Sequence, residues 1–263
     1  MIIPVIIPVK TLRRTLIAAA LFAQGALLGA DTSSFNVATD ISLVPGPGAY
    51  AASSKLLCEE WYPKINAALF GPDTPLPYKE VKITFEPAIT MGTKANPILV
   101  AAYAHDNTVH INYSYVVKTA VDLPKDYAAM FIHELTHVNQ HYPTSPNDSW
   151  PNHGWMVEGI ADYVRHKYFE KDIEPRLHLD SNGELQGFER DRNRGTFERE
   201  GYLGGYTVAG AFLYWLEVRK DKNIVPALNR ALREGRYSVD LFEQHCGAPL
   251  AALWHEFVLQ SKP

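Results

Sequence analysis

Cysteine is scarce in this sequence: Cys58 and Cys246 are the only two among 263 residues. Two thiols this far apart along the chain do not have the spacing of a cysteine metal site. In an exported protein they can form one disulfide that joins the start and the end of the domain. The alternative is two separate buried thiols, and the sequence leaves both possibilities open.

A long uninterrupted apolar run is also missing near the N-terminus. The run Leu16–Leu28 is broken by Gln24 and Gly25 and is too short for a good membrane span. Basic residues precede it and small residues follow it: Lys10, Arg13, Arg14, Gly29 and Ala30. This order is typical of a secretory signal peptide. We therefore expect residues 1–30 to be a signal peptide and the protein to be secreted, either extracellular or periplasmic; a single N-terminal anchor helix is the alternative.

The chain has no excess of positive charge. Removal of residues 1–30 takes away three of the 25 basic residues and none of the 29 acidic ones, which leaves a formal charge of −7. This balance argues against nucleic acid or an anionic membrane as a partner. The overall content of 46% apolar and 21% charged residues is that of a globular protein that can bury a core.

The mature chain contains no internal repeat. Its pattern of polar and apolar residues changes once, from one typical of strands to one typical of helices. Residues 80–86 and 109–115 alternate polar and apolar positions, residues 98–104 are more uniformly apolar, and Asp106-Asn107 forms a turn. These segments predict a sheet, with a helix over residues 50–69 before it. Residues 31–263 are therefore expected to form one α/β (α+β) domain, with an N-terminal sheet, an active-site helix and a helical C-terminal part.

The helical pattern begins at residue 122, where Pro124 suits a first helical turn. One face of this helix is apolar at spacings of four, four and three, at positions Tyr127, Phe131, Leu135 and Val138. Residues 142–153 predict a loop, and a second helix follows over about residues 154–169. Three or four further helices are expected within residues 205–260.

The predicted active-site helix carries the segment His133-Glu134-Leu135-Thr136-His137. Residues four apart lie on one helix face, so His133 and His137 can direct ring nitrogens at one metal ion. Glu134 then lies beside the ion, where it can accept a proton from an activated water. A pair of surface histidines on an amphipathic helix is the plainer interpretation, so the third ligand decides between the two.

Several residues compete to be the third ligand. His141 lies eight residues after His133, about 12 Å along a helix, too far for bonds of about 2.0–2.1 Å to one ion. A third histidine six residues after His137 is excluded because Pro143 occupies that position. His153, in the predicted loop, stays a possible ligand. Glu158 is the best candidate, since the twenty residues after His137 allow a loop and a returning helix.

Asp162 follows Glu158 at a spacing of four and shares its helix face. A charged pair among apolar neighbours is costly unless it has a partner. If Glu158 binds the metal, Asp162 is placed to accept a ring N–H from a ligand histidine and so to fix its tautomer. The alternative is that Glu158 and Asp162 pair with Arg165 or Lys167.

The two segments together resemble the plant basic secretory protein family, a group of zinc metallopeptidases. The similar stretches are His133–Gln140, Glu158–Arg165, Gly205–Val208, Phe212–Trp215, Gly247 and Leu253–Phe257. They cover about residues 100–260. The chain departs from the family's name in being acidic, and residues 142–153 and 172–200 show the least likeness, which leaves the choice of substrate open.

The resemblance implies a zincin-like fold of the gluzincin type, one bound Zn²⁺ and hydrolysis of peptide or protein substrates. It also implies that the strand over residues 109–115 borders the cleft and pairs with extended substrate; an interior strand is the alternative. The oxyanion donor is expected to be Tyr206, which follows two glycines and precedes a helix, with Tyr202 and Tyr163 as rivals.

Two other functions compete with a secreted zinc metallopeptidase. One is a non-catalytic secreted defence or cell-wall binding protein that has kept the fold. Retention of Glu134 between two histidines speaks against this, because a protein without activity has little need of it. The other is a zinc hydrolase that acts on a different amide or on a glycopeptide.

Overall fold

The computed structural model describes residues 34–93, 96–119, 124–143, 153–177 and 199–261. The strands are β1 (Asn36–Asp40), β2 (Glu80–Glu86), β3 (Thr90–Thr93), β4 (Asn96–Leu99), β5 (Ala102–His105) and β6 (Thr108–Asn112). The helices are α1 (Gly48–Phe70), α2 (Tyr113–Thr119), α3 (Pro124–Gln140), α4 (Gly154–Val164), α5 (Tyr206–Arg219), α6 (Ile224–Arg233), α7 (Asp240–Cys246) and α8 (Leu250–Ser261). A π-helical turn, Arg165–Glu170, continues α4.

This order of strands followed by helices confirms the predicted mixed α/β fold class. The predicted signal peptide, residues 1–30, lies outside the described residues, and so does most of the predicted loop over residues 142–153. Among the described helices, none combines the length and the apolar content that crossing a bilayer requires.

The main sheet contains four strands in the order β1-β2-β6-β5. Strands β1, β2 and β6 run parallel, and β5 runs antiparallel to β6. The parallel pair β1 and β2 requires a crossover connection, which α1 supplies. Strands β5 and β6 form a hairpin whose turn is Asp106-Asn107, as predicted. Asp106 has a φ of 50°, a left-handed conformation that aspartate adopts more readily than most residues.

Two of the predicted strands differ from the observed ones. The predicted strand over residues 98–104 is divided between β4 and β5. The predicted strand over residues 109–115 ends at Asn112, because the Asn112 Oδ1 atom accepts a hydrogen bond from the Tyr115 N–H at 3.1 Å and so caps α2. The predicted position of that strand beside the cleft is wrong: β6 is paired on both sides, and β5 is the edge strand among the described residues.

One face of the sheet is covered by helices. Alternate residues of the two central strands are fully buried: Val81, Ile83, Phe85, Val109 and Ile111. Helices α1 and α3 contact this layer. The predicted apolar face of α3 is buried too, at Tyr127, Phe131, Leu135 and Val138. The opposite face of α3 is therefore left to carry polar side chains toward the edge of the sheet.

Helices α4 and α5 approach each other closely. A Cβ atom at Gly159 would lie 2.5 Å from the Cβ of Ala209, and one at Gly210 would lie 3.1 Å from the backbone nitrogen of Tyr163. Glycine at both positions therefore lets the two backbones meet. Helix α5 is buried over most of its surface, which is typical of a central helix. This contact places the first turn of α5 beside Glu158 and Asp162 of α4.

The two cysteines are free thiols. Cys58 is fully buried in α1, and Cys246 is half-buried at the end of α7. Burial raises the pKa of the Cys58 thiol to about 12 and that of Cys246 to about 11. Of the two possibilities that the sequence left open, the structure has the separate thiols.

Candidate metal centre

Helix α3 carries His133, Glu134 and His137 on the side that faces a cleft. The two histidines lie one turn apart, and their Nε2 atoms are 3.1 Å from each other. Their ring planes are nearly perpendicular, at 82°. His133 is buried, whereas Glu134 and His137 are half-buried. The spacing of four residues therefore brings both ring nitrogens to one point, as predicted.

Glu158 reaches the same point from α4. Its Oε2 atom lies 3.1 Å from His133 Nε2 and 3.4 Å from His137 Nε2. These three residues form a group that could hold a metal ion. The residue chosen as third ligand from the sequence is thus brought to the two histidines by the contact between α3 and α4.

Each histidine has a hydrogen-bond partner on its other ring nitrogen. His133 Nδ1 lies 2.7 Å from Asp162 Oδ1, and His137 Nδ1 lies 2.7 Å from Gln140 Oε1. Both partners accept hydrogen bonds, so each neutral imidazole carries its proton on Nδ1 and directs the Nε2 lone pair at the cluster. With the Glu158 carboxylate, three electron-pair donors then face one another, an arrangement that a cation stabilises.

The donor set fits zinc in chemistry and in spacing. Two imidazole nitrogens and one carboxylate oxygen are ligands that zinc commonly takes in hydrolytic sites. Bonds of about 2.0–2.1 Å in a tetrahedron place neighbouring ligand atoms about 3.3–3.4 Å apart. The three distances between donor atoms, 3.1, 3.1 and 3.4 Å, are close to that value.

Burial and the charges of the carboxylates have the largest effects on the pKa values of the two histidines. Burial opposes the protonation of His133, but its hydrogen bonds to Asp162 and Glu158 outweigh this and raise its pKa to about 10. The pKa of His137 is also raised, because Glu158 outweighs burial. The imidazoles in turn lower the pKa values of Glu158 and Asp162 against the effect of burial. The carboxylates therefore stay ionised and attract positive charge.

Asp162 has further partners that the sequence did not indicate. Its Oδ2 atom accepts a hydrogen bond from the Thr207 hydroxyl at 2.8 Å, and Arg165 Nη1 lies 3.9 Å from Oδ1. Thr207 belongs to the first turn of α5, so this carboxylate joins His133 to a third helix. The alternative that Glu158 and Asp162 pair with Arg165 or Lys167 is met only by the contact between Asp162 and Arg165, because Glu158 lies at the histidines and Lys167 binds Glu217 at 2.6 Å.

Tyr206 begins α5 at the border of the cleft. Its ring stacks beside the ring of His133, with 5.9 Å between centroids and 15° between planes. Its backbone has a φ of 46°, which is strained for a bulky residue. The rival tyrosines lie elsewhere: Tyr202 packs against Trp155, and the Tyr163 hydroxyl donates to Glu217 at 3.0 Å.

The other candidate histidines lie apart from the cluster. His141 follows the end of α3 with a φ of 41°, and its Nδ1 atom contacts the Tyr78 hydroxyl at 2.6 Å. His153 packs its ring against that of Tyr237, at 5.7 Å between centroids. Neither residue is a member of the ligand group. The rejection of His141 on helix geometry agrees with this placement.

The cleft above the cluster is a cavity of about 450 Å³. Its lining includes Glu134, Glu158 and Tyr206 on the helical side and Tyr103 and Ala104 of β5 on the sheet side. The edge strand, rather than β6, therefore borders the site.

A second group of potential ligands lies on the π-helical turn and just after its end: His166, Glu170 and Asp172. The Glu170 carboxylate already accepts a hydrogen bond from Arg165 Nε at 2.6 Å. His166 Nδ1 lies 2.9 Å from Asp172 Oδ1. These contacts form a hydrogen-bonded network at the end of the turn.

The model of the BSP family, described as peptidase of plants and bacteria, matches residues 72–257. A mutant M1 zinc metallopeptidase from Deinococcus radiodurans, bound to a Tyr-Ser-Ala substrate, is similar at 12% identity and a TM-score of 0.44 over 84% of this chain and 47% of that one. A two-domain M1 zinc metallopeptidase mutant bound to L-tryptophan is similar at 13% identity and a TM-score of 0.43. The likeness covers 84% of this chain and 46% of that one. The chain thus spans less than half the length of both structures. No curated protein matches it.

Proposed function

The chain belongs to the BSP family of peptidases of plants and bacteria, and on that premise we propose that it is a secreted zinc metallopeptidase that hydrolyses peptide bonds. The observation that carries the proposal is the convergence of His133 Nε2, His137 Nε2 and Glu158 Oε2 within 3.4 Å of one another. These three residues are the proposed ligands of one Zn²⁺.

When bound, zinc would supply a Lewis acid that polarises water and the scissile carbonyl. The protein's part is to hold the ligands in the correct tautomers. Asp162 retains the Nδ1 proton of His133, and Gln140 retains that of His137. In its neutral form, each imidazole therefore offers an Nε2 lone pair to the ion.

Glu134 is the proposed general base. It lines the cleft beside both ligand histidines and has no ligand role in the proposal. Burial raises its pKa, and the two imidazoles oppose this only in part. A carboxylate with a raised pKa is suited to accept a proton from the attacking water and to return it to the leaving amine.

Tyr206 is the proposed donor to the oxyanion of the tetrahedral intermediate. Of the three tyrosines considered from the sequence, it is the one that lines the described cleft. Its left-handed backbone supports the assignment, since strained residues cluster at functional sites. Preformed donors of this kind stabilise charge that develops in the transition state.

Strand β5 is the proposed binding edge for extended substrate, in place of residues 109–115. His105 and Thr108 flank the two-residue turn, so their backbones form a hydrogen-bonded pair. Tyr103 and His110, two residues further along, form the next hydrogen-bonded pair. Hydrogen-bonding groups alternate along an antiparallel strand, so the backbone amides of Ala102 and Ala104 face away from β6. These outward groups can pair with a peptide laid along the edge.

The proposal of secretion rests on the N-terminal composition. Lys10, Arg13 and Arg14 precede the apolar run Leu16–Leu28, the order of a signal peptide over residues 1–30. Residues 31–263 would then form the metallopeptidase domain.

The test compares the full chain with its Glu134→Gln variant. We expect about one zinc per chain in both proteins. Hydrolysis of casein should be chelator-sensitive in the native protein and absent from the variant, because glutamine cannot accept the proton. Glu60→Gln, an exposed glutamate on α1, is the matched control and should retain full activity.

Two outcomes would contradict the proposal. Hydrolysis retained by Glu134→Gln would remove the general-base mechanism. Stoichiometric zinc without any casein or peptide hydrolysis by the native protein would favour the non-catalytic binding protein instead.

A further inference from the structure

The side chain of Gln140 connects the two helices that supply the ligands. It is almost fully buried, with 2% of its surface exposed. Its Oε1 atom lies 2.7 Å from His137 Nδ1 on its own helix, one turn back. Its Nε2 atom donates to the backbone carbonyl of Val157, on α4, at 2.9 Å. Val157 directly precedes Glu158, so one amide touches a ligand ring and the backbone next to another ligand.

The orientation of this amide follows from its two partners. A backbone carbonyl can only accept a hydrogen bond, so the NH₂ end of Gln140 must face Val157. The oxygen end then faces His137 and requires the proton on Nδ1 of that ring. The contact with α4 therefore determines which nitrogen of His137 carries a lone pair toward the cluster.

We propose that Gln140 is a positioning residue that sets the tautomer and ring plane of His137 and holds α4 at the distance at which Glu158 meets both histidines. The inference rests on the proposed metal centre. It adds a role that neither the helix spacing of the two histidines nor the position of Glu158 requires.

Charge explains why an amide is suitable at this position. His133 has an anionic acceptor, Asp162, and the carboxylates of Glu134 and Glu158 lie beside it. A neutral acceptor orients His137 without adding a further negative charge to this buried group. Glutamate would keep the acceptor for His137 but would place a second acceptor 2.9 Å from the Val157 carbonyl.

The experiment uses the full chain and two substitutions. Gln140→Met has similar length and removes both hydrogen bonds; Gln140→Glu keeps the acceptor and removes the donor. The control is Gln244→Met, at an exposed position on α7. Zinc affinity is measured by competition with a chelating dye, and the visible absorption of the Co²⁺-substituted protein reports the coordination geometry.

We expect Gln140→Met to lower zinc affinity by about 10–100-fold, the usual effect of losing a partner behind a ligand. Its Co²⁺ absorption bands should shift. Gln140→Glu should retain more of the affinity than Gln140→Met, because His137 keeps its acceptor, yet its bands should also shift because the link to α4 is gone. Gln244→Met should match the native protein in both measurements.

The inference is overturned if Gln140→Met binds zinc within about twofold of the native protein with an unchanged Co²⁺ spectrum. If Gln140→Met does not fold, Gln140→Glu decides alone, and an unchanged spectrum in that variant overturns the inference. Failure of the native protein to bind either ion is a different result, which contradicts the proposed metal centre itself.

Discussion

The cleft has two sides that are built differently. The floor, formed by α3, α4 and the first turn of α5, holds polar side chains that are hydrogen-bonded to one another, such as His133 to Asp162 and Asp162 to Thr207. The wall, formed by β5 and the neighbouring residue Met91, lines the cleft with Met91, Ala102, Tyr103 and Ala104, and within the described residues the outer edge of β5 has no paired strand. Under the proposed function, the floor would hold the metal ligands in a fixed geometry, whereas the wall would bind the backbone of the peptide.

After Glu134→Gln, the next largest effect should come from the floor, at the proposed oxyanion donor. Tyr206→Phe removes one hydroxyl and keeps the ring beside His133. Loss of one such donor costs about 10²–10³ in kcat. KM and zinc content should change little, because the ligands are untouched. The measurement is steady-state hydrolysis of a peptide substrate, with Tyr115→Phe on α2 as control. A kcat within about threefold of the native value would remove Tyr206 from the mechanism.

A smaller effect is expected at the carboxylate behind His133. Asp162→Asn keeps the size of the side chain but replaces an anionic acceptor with a neutral one. Zinc affinity should fall by about 10–100-fold, while the fold is retained. Competition with a chelating dye measures the affinity, and thermal unfolding of the metal-free protein checks the fold. An unchanged affinity would show that Asp162 supports the helices rather than the metal.

The smallest effect should come from the wall. Ala104→Pro removes an N–H that faces away from β6, so the sheet loses no ladder hydrogen bond. One main-chain hydrogen bond to substrate contributes about 0.5–1.5 kcal/mol, so kcat/KM should fall about two- to tenfold. The control Ala104→Ser keeps the N–H and should behave as the native protein does. Equal values of kcat/KM for both variants would mean that the edge does not pair with substrate.

Local spacing was sufficient to predict the centre of the floor. His133 and His137 are four apart on one helix, and Glu158 and Asp162 are four apart on the next, so helix geometry alone placed each pair on one face. The structure then brings the two pairs together. Their roles in binding and catalysis stay predictions, which the variants above test.

Contacts that depend on three-dimensional arrangement were not predictable in the same way. Thr207 reaches Asp162 across 45 residues of sequence, and its hydroxyl carries no distinguishing local pattern. The strand beside the cleft was assigned wrongly for a related reason. Alternation of polar and apolar residues is the same in an interior strand and in an edge strand, so only the hairpin between β5 and β6 reveals which one lies outside.

Among the described strands, none pairs with the outer edge of β5, and this has a consequence for the behaviour of the protein in concentrated solution. Backbone groups that are available to a peptide are equally available to the same strand of another copy, and such edges promote aggregation. Strand β5 has only four residues and ends at His105, whose exposed ring lies 3.4 Å from Asp106. A short edge strand and charged side chains at that edge are two ways in which natural sheets limit self-association. A strand this brief offers few hydrogen bonds to another copy, so crowding should be tolerated while the edge stays accessible.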